Sequence, residues 1–315
     1  MKISGFTMVR NATKLYYPVK ASISSILPIV DEFVIALGNC DDDDHTLEEI
    51  NSIGSDKIRI IHTVWDLEKY PAGTEYAHQT DIAKNACTGD WLFYLQADEV
   101  IHEKDLPAIN SRCESLLHDK EVEGLLFDYI HFWGDYKHYL KSHAWYAREI
   151  RIIRNDPDIH SWRDAQSFRR IPEFNYKDYN QKEDTYKLKT VKVNASIYHY
   201  GWVRPPRYMQ KKYVSFVSDY KGKKNAHLFL KYKQPEFDYG NLDKLHYFNQ
   251  SHPAVMQDMI NKFNWQDQLN ESGRQKNGTV HKHEKWKHRL LSMIENKIMG
   301  GEQIFTFKNY ELLRK

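Results

Sequence analysis

The sequence predicts an α/β fold with a mostly parallel sheet flanked by helices, and three features predict it. Over the first hundred residues, short apolar runs alternate with segments of helical period, which is the rhythm of strands joined by crossover helices. Residues 33–37 (FVIAL) and 91–95 (WLFYL) are apolar at every position, as strands covered on both faces must be. Gly38 closes the first of these runs, and Gly89 ends the helix before the second. In chain order, Ile3–Val9 reads as a strand, 19–30 as a helix, 33–37 as a strand, 46–53 as a short helix and 58–64 as a strand. A helix from Thr74 then stacks Tyr76, Thr80, Ala83 and Cys87 on one face before the strand at 91–95.

The rhythm changes after residue 101. A helix with Leu106, Ile109, Cys113 and Leu116 on one face leads to a strand over 122–130. Residues 131–170 are crowded with Trp, Tyr, His and Arg and read as strand only at 149–153. Residues 173–190 read as polar loop, 191–199 as a strand, and the chain from 207 as helical. Segment 266–282 reads as a mobile loop, and a last helix carries Trp286, Leu290, Ile294 and Ile298 before Gly300 and Gly301 stop it.

With 315 residues, 41% hydrophobic and 14% aromatic, the chain can build a substantial core, which excludes a disordered protein. Lys and Arg number 45 against 43 Asp and Glu, a net charge of +2, so a nucleic-acid partner is not expected. Mean hydropathy is −0.72, and no apolar run approaches the ~20 residues of a spanning helix. The start reads as a strand and not as a leader. A cytoplasmic protein is expected, with peripheral membrane contact as a further option for its last hundred residues. Cys40, Cys87 and Cys113 form no C-x-x-C pair and read as small apolar fillers.

Ligands of open parallel sheets bind beyond the carboxyl ends of the strands. Asp41, Asp42, Asp43 and Asp44 follow the second strand and Asp98 and Glu99 the fourth, so both groups project toward one crevice. Carboxylates there can hold a hard divalent cation that screens a diphosphate; four aspartates can equally be a solvated turn. Asp98 and Glu99 directly follow a buried strand, where charges have a partner or a task.

The segment Gly89-Asp-Trp-Leu-Phe-Tyr-Leu-Gln-Ala-Asp-Glu99 resembles the metal-site strand of inverting family 2 glycosyltransferases with the GT-A fold. The resemblance includes Ile3 to Asn11 as the first nucleotide-binding strand, the aspartates before Thr46, and His199-Tyr-Gly-Trp-Val-Arg204 as a histidine segment that closes the site. It is fullest to about residue 130 and extends to about 215. It implies a GT-A domain over 1–215, with a nucleotide-sugar-binding half (1–100) and an acceptor half (101–215), followed by a mainly helical extension over 216–315.

The resemblance also implies the reaction. A sugar passes from a nucleotide-sugar donor, a UDP-sugar, to a hydroxyl of a glycan, glycolipid or other acceptor, with inversion, in polysaccharide, glycolipid or glycoconjugate synthesis. Val9, Arg10, Asn11, Asp43, Asp44, Asp81, Gln96, Ala97 and Asp98 are the implied donor contacts. Asp98 and His199 would ligate Mn2+ or Mg2+, and Arg204, Arg207 and Lys211 would reach the leaving diphosphate. Asp164 is the implied base and Glu99 the second choice. Gln96 departs from the pattern: it stands where the first Asp of Asp-x-Asp would be, and it keeps open a silent relative that binds nucleotide or glycan without turnover. Trp133, Tyr136, Tyr139, Trp145, Tyr146 and Trp162 are either an acceptor groove or packing for a loop-rich subdomain.

Overall fold

In the computed structural model, which describes residues 1–222, 234–271, 273, 280–304 and 306–315, β1 (Ile3–Val9), β2 (Glu32–Leu37), β3 (Ile58–His62) and β4 (Trp91–Tyr94) lie parallel in the order β3-β2-β1-β4. The apolar runs become these strands because helices cover both faces: α1 (Val19–Ile26), α2 (Thr46–Asn51), α3 (Thr74–Asn85) and α4 (Leu106–Ser115). Phe6, Phe33, Leu92 and Phe93 are wholly buried; each such side chain contributes about 1.5–3 kcal/mol relative to exposure.

Beyond β4 the sheet becomes mixed. β8 (Arg148–Arg154) pairs antiparallel with β4 and with β6 (Gly124–Trp133), which restores the direction of β4 in β6 and in the parallel β11 (Tyr186–Trp202). β9 (Ile159–Trp162) and β10 (Ser167–Arg170) finish the sheet beside β11. The short β5 (Glu99–Ile101) lies antiparallel on β11, and β7 (His138–Leu140) on β6. The carboxyl ends of β1, β2, β4 and β11 therefore share one edge, although β4 and β11 are about a hundred residues apart in sequence.

Two expectations need correction. Residues 186–190, expected as loop, open β11, where Lys187, Lys189 and Lys192 face solvent while Leu188, Thr190 and Val191 are buried. The aromatic stretch 131–170 holds β7, β9 and β10 as well as β8, because its rings pack on the sheet and leave no clean alternation in sequence.

α5 (Pro206–Lys221) starts with Pro206 in its first turn, where a missing N–H costs nothing, and runs across position 215. Later residues form short turns of helix, α6 (Gln257–Asn261), the hairpin partner β12 (His246–Tyr247), α7 (Trp286–Lys297) and β13 (Tyr310–Leu312). β13 returns to pair parallel with β11. The loop expected over 266–282 lies partly outside the described residues; its described part includes a helical turn over Gln266–Gln268. No helix among the described residues is long and apolar enough to cross a membrane.

Candidate active site

A cavity of about 410 Å3 opens at that carboxyl edge, lined by the ends of β1, β4 and β11 and by one face of α5. Val9, Arg10 and Asn11 enter it from β1, Gln96, Ala97 and Asp98 from the loop after β4, and His199 and Trp202 from β11. The β4–β5 loop is held from below by α1, whose Ser22 hydroxyl donates to the Gln96 carbonyl at 2.9 Å. Strand alternation then separates two neighbours. Asp98 faces the cavity, whereas Glu99 turns into the sheet.

Glu99 is fully buried. Its oxygens accept from Arg151 Nε and Nη2 at 2.7 and 2.8 Å and from the Tyr129 hydroxyl at 2.8 Å. A carboxylate sealed in this way is a structural ion pair, which corrects its assignment as the second-choice base.

Asp98 is 5% exposed. Its Oδ2 accepts from Lys212 Nζ at 3.1 Å, and Lys212 also donates to the Gly201 carbonyl at 2.8 Å. Burial alone would raise the Asp98 pKa, but the charges of Lys212 and Arg204 hold it well below the carboxylate range. Burial pushes the Lys212 ammonium down to about 8.

His199 Nε2 lies 3.9 Å from Asp98 Oδ1. Its Nδ1 meets His131 Nδ1 at 2.9 Å, and His131 Nε2 meets the Tyr146 carbonyl at 2.8 Å. Burial lowers both imidazoles, to about 4 for His199 and about 3 for His131, so both are neutral at neutral pH. The relay follows from donor accounting: only a proton on His131 Nε2 can bond that carbonyl, so His131 Nδ1 accepts from His199 Nδ1–H. His199 Nε2 is left as a lone pair beside Asp98. A Cβ at Gly201 would come within 2.4 Å of that nitrogen and 2.8 Å of Asp98 Oδ2, so the close approach requires glycine.

Asp164 sits in the β9–β10 turn between Arg163 and Ala165, both of positive φ (57° and 60°). Non-glycine residues there cost about 1–3 kcal/mol each, and the turn carries Asp164 to the cavity wall. Its Oδ2 accepts from the Tyr220 hydroxyl of α5 at 2.6 Å. Asp164, Trp145, Tyr146, Gln166 and Tyr220 also line a second cavity of about 640 Å3, which continues to Trp162, Phe307 and Tyr310.

Several sequence-derived donor contacts lie elsewhere. Asp44 accepts from the Thr13 hydroxyl and Lys14 N–H (2.7 and 2.9 Å) and ties two loops together, and Asp43 pairs with Lys14 at 2.5 Å. Asp81 is buried between α3 and β9, on His160 Nδ1 and Ser161 N–H at 3.0 and 2.8 Å. Arg207 and Lys211 are on the exposed side of α5. Arg204 is wholly buried, with Nη1 on the Leu15 carbonyl at 2.6 Å and its guanidinium 4.5 Å from the Tyr17 ring. It acts from behind the wall as a fixed charge.

Sequence reasoning missed Lys212, Trp65 and Tyr17. The signal for Lys212 was the spacing of Met209, Tyr213, Phe216 and Tyr220, which defines the inward face of α5; Lys211 lies about 100° away from Lys212 around that helix. Trp65 closes the far side, edge-to-face with Tyr76 (5.2 Å between centroids) and 5.3 Å from the Arg10 guanidinium. Of the six clustered aromatics, Trp133 and Tyr136 are core, while Trp145 and Tyr146 line both cavities.

The donor set does not fit a resident divalent cation. Among the described residues no group of three or more His, Cys, Asp or Glu side chains could hold a metal ion. The second oxygen of Asp98 already carries an ammonium, which would repel a dication. Gln96 lines the cavity as a neutral amide whose Nε2 is tied to the Ala165 carbonyl at 3.2 Å.

No protein-family model matches the chain, and no curated protein does. Among solved structures it is similar to glucosyl-3-phosphoglycerate synthase from Mycobacterium tuberculosis in complex with Mn2+, uridine diphosphate and phosphoglyceric acid, at 18% identity over 41% of this chain and 43% of that one, with a TM-score of 0.30. It is similar to S. aureus TarS at 13% identity over 70% of this chain and 39% of that one, TM-score 0.38. The 1–349 fragment of TarS in complex with UDP gives 14% identity over 70% and 65%, TM-score 0.36. The chain spans less than two thirds of the length of each of these neighbours.

Proposed function

We propose that the protein is an inverting glycosyltransferase of the GT-A type, moving a sugar from a nucleoside-diphosphate donor, of the UDP class, to a hydroxyl of a glycan, glycolipid or other acceptor. The observation that carries this reading is Asp164 at the junction of two cavities, the smaller of which is also lined by the Asp98–Lys212 pair. The smaller cavity takes the donor and the larger one the acceptor.

In the reaction, the Asp164 carboxylate removes the proton of the acceptor hydroxyl. That oxygen forms the new bond to the anomeric carbon from the face opposite the diphosphate. The bond from the anomeric carbon to the diphosphate oxygen breaks, and the diphosphate leaves with its electron pair. Lys212 and Arg10, the cations lining the donor cavity, meet the charge that develops on it. Tyr220 orients the base through its 2.6 Å hydrogen bond, and Trp65 offers a flat ring to the nucleoside. No step is routed through a metal.

The test is Asp164→Asn assayed with a panel of nucleotide sugars and glycan or glycolipid acceptors. Transfer should fall at least a hundredfold, the scale of one general base, while nucleoside diphosphate binding stays. Binding without turnover in the wild-type chain, unaffected by Asp164→Asn, would assign the silent relative instead.

A further inference from the structure

We infer that Lys212 takes the place of a divalent cation at the donor diphosphate, so that this site binds nucleoside diphosphates, and releases the diphosphate leaving group, without metal. The inference rests on the donor-cavity reading above and adds to it the source of positive charge.

Charge balance is the first support. Two carboxylates facing a diphosphate need a dication between them. Here one of the two positions is the neutral Gln96, whose amide is tied to the Ala165 carbonyl. The single remaining carboxylate, Asp98, is matched by a single ammonium at 3.1 Å.

The second support is that Lys212 is built in and not a drifting surface lysine. Its side chain is 16% exposed. Its Nζ donates to Asp98 and to the Gly201 carbonyl, and it lies 4.9 Å from the Tyr17 ring and 5.8 Å from the Trp202 ring. An ammonium has three N–H donors; with two of them placed, the third remains for a ligand in the cavity that Lys212 lines.

Arg204 is the third support. It is wholly buried behind the same wall, and its Nε and Nη2 have no hydrogen-bond partner. This second positive charge beside Asp98, whose one carboxylate is already matched by Lys212, opposes the entry of a dication and favours an anion.

The experiment is calorimetric titration of the full chain with UDP, GDP, CDP and ADP, once in excess EDTA and once with Mn2+. At least one nucleotide should bind in EDTA with an affinity within about threefold of that in Mn2+. Lys212→Met should weaken binding in EDTA by about ten- to a hundredfold, the loss of one charge-assisted hydrogen bond, and Lys212→Arg should keep most of it. Because Lys212→Met leaves Asp98 without its partner, melting curves accompany both variants, and the wild-type comparison of EDTA with Mn2+ stands whether or not that variant folds. Wild-type binding that requires Mn2+ would overturn the inference and leave the donor site in place. Undiminished binding by a folded Lys212→Met in EDTA would overturn it as well. No nucleotide bound under either condition would remove the donor-site reading, and the inference with it.

Discussion

Asp98 and Glu99 are adjacent carboxylates, and one peptide step gives them opposite tasks. Glu99 is buried against Arg151, so Glu99→Gln leaves an uncompensated guanidinium inside the sheet and should cost about 3–5 kcal/mol in urea unfolding. Asp98 and Lys212 meet at a cavity wall, so Asp98→Asn should cost less in urea unfolding than Glu99→Gln but bind nucleoside diphosphate about tenfold more weakly, because Lys212 loses its charged anchor. A finding that both variants lose stability equally would remove the distinction between ion pair and site. Gly201 provides a third residue-scale test. A methyl group there meets His199 Nε2 and Asp98 Oδ2, so Gly201→Ala should reduce nucleotide affinity by displacing both groups, read by the same titration.

At the scale of elements, α5 positions the cavity's inner face and Arg148 positions the last part of the chain. Gly73 opens α3 with φ of 86°, and a Cβ there would come within 2.6 Å of the Tyr220 ring. Gly73→Ala should therefore push α5 outward and loosen the Tyr220–Asp164 hydrogen bond, lowering transfer more than donor binding. Arg148 is held by Glu302 through two hydrogen bonds of 2.8 and 2.7 Å. That guanidinium lowers the Glu302 pKa from 4.5 to about 2, with burial opposing it. The sign follows: the unfolded chain takes up this proton near 4.5 and the folded chain only near 2, so the pair stabilises above about pH 4.5 and its contribution is lost as pH falls through that window. Glu302→Gln should flatten the fall in stability between about pH 5 and about pH 3 in urea unfolding. An unchanged slope would show that the pair is inert.

At the scale of the whole molecule, the end of the chain returns to the sheet. β13 pairs with β11, and the Gln303 amide donates to the Ser142 and Trp145 carbonyls. Phe307, Asn309 and Tyr310 thereby wall the larger cavity, whereas among the described residues none after Tyr220 lines the smaller one. Removal of residues 306–315 should abolish acceptor use while leaving nucleoside diphosphate binding within about threefold, with the melting temperature measured alongside. Loss of both together would show that the two cavities are not separable.

What the sequence determined by itself is whatever depends on neighbours along the chain. The continuous apolar runs of β2 and β4 gave their burial, Gly38 gave the end of β2, and the helical stripe of α3 gave its inward face. The position of Asp98 at a strand end followed from the same local reading. The tertiary structure alone decided which charges meet. Asp98 finds Lys212 and His199 across more than a hundred residues because two antiparallel steps, through β8, return β6 and β11 to the direction of β4. The lysine on α5 was misread by one position, since periodicity gives a helix's faces but not which face its docking buries. Asp43, Asp44 and Asp81 show the same limit from the other side. Their residue type is legible in sequence, but a carboxylate becomes a loop tie or a ligand contact according to which donors the fold brings within hydrogen-bond distance.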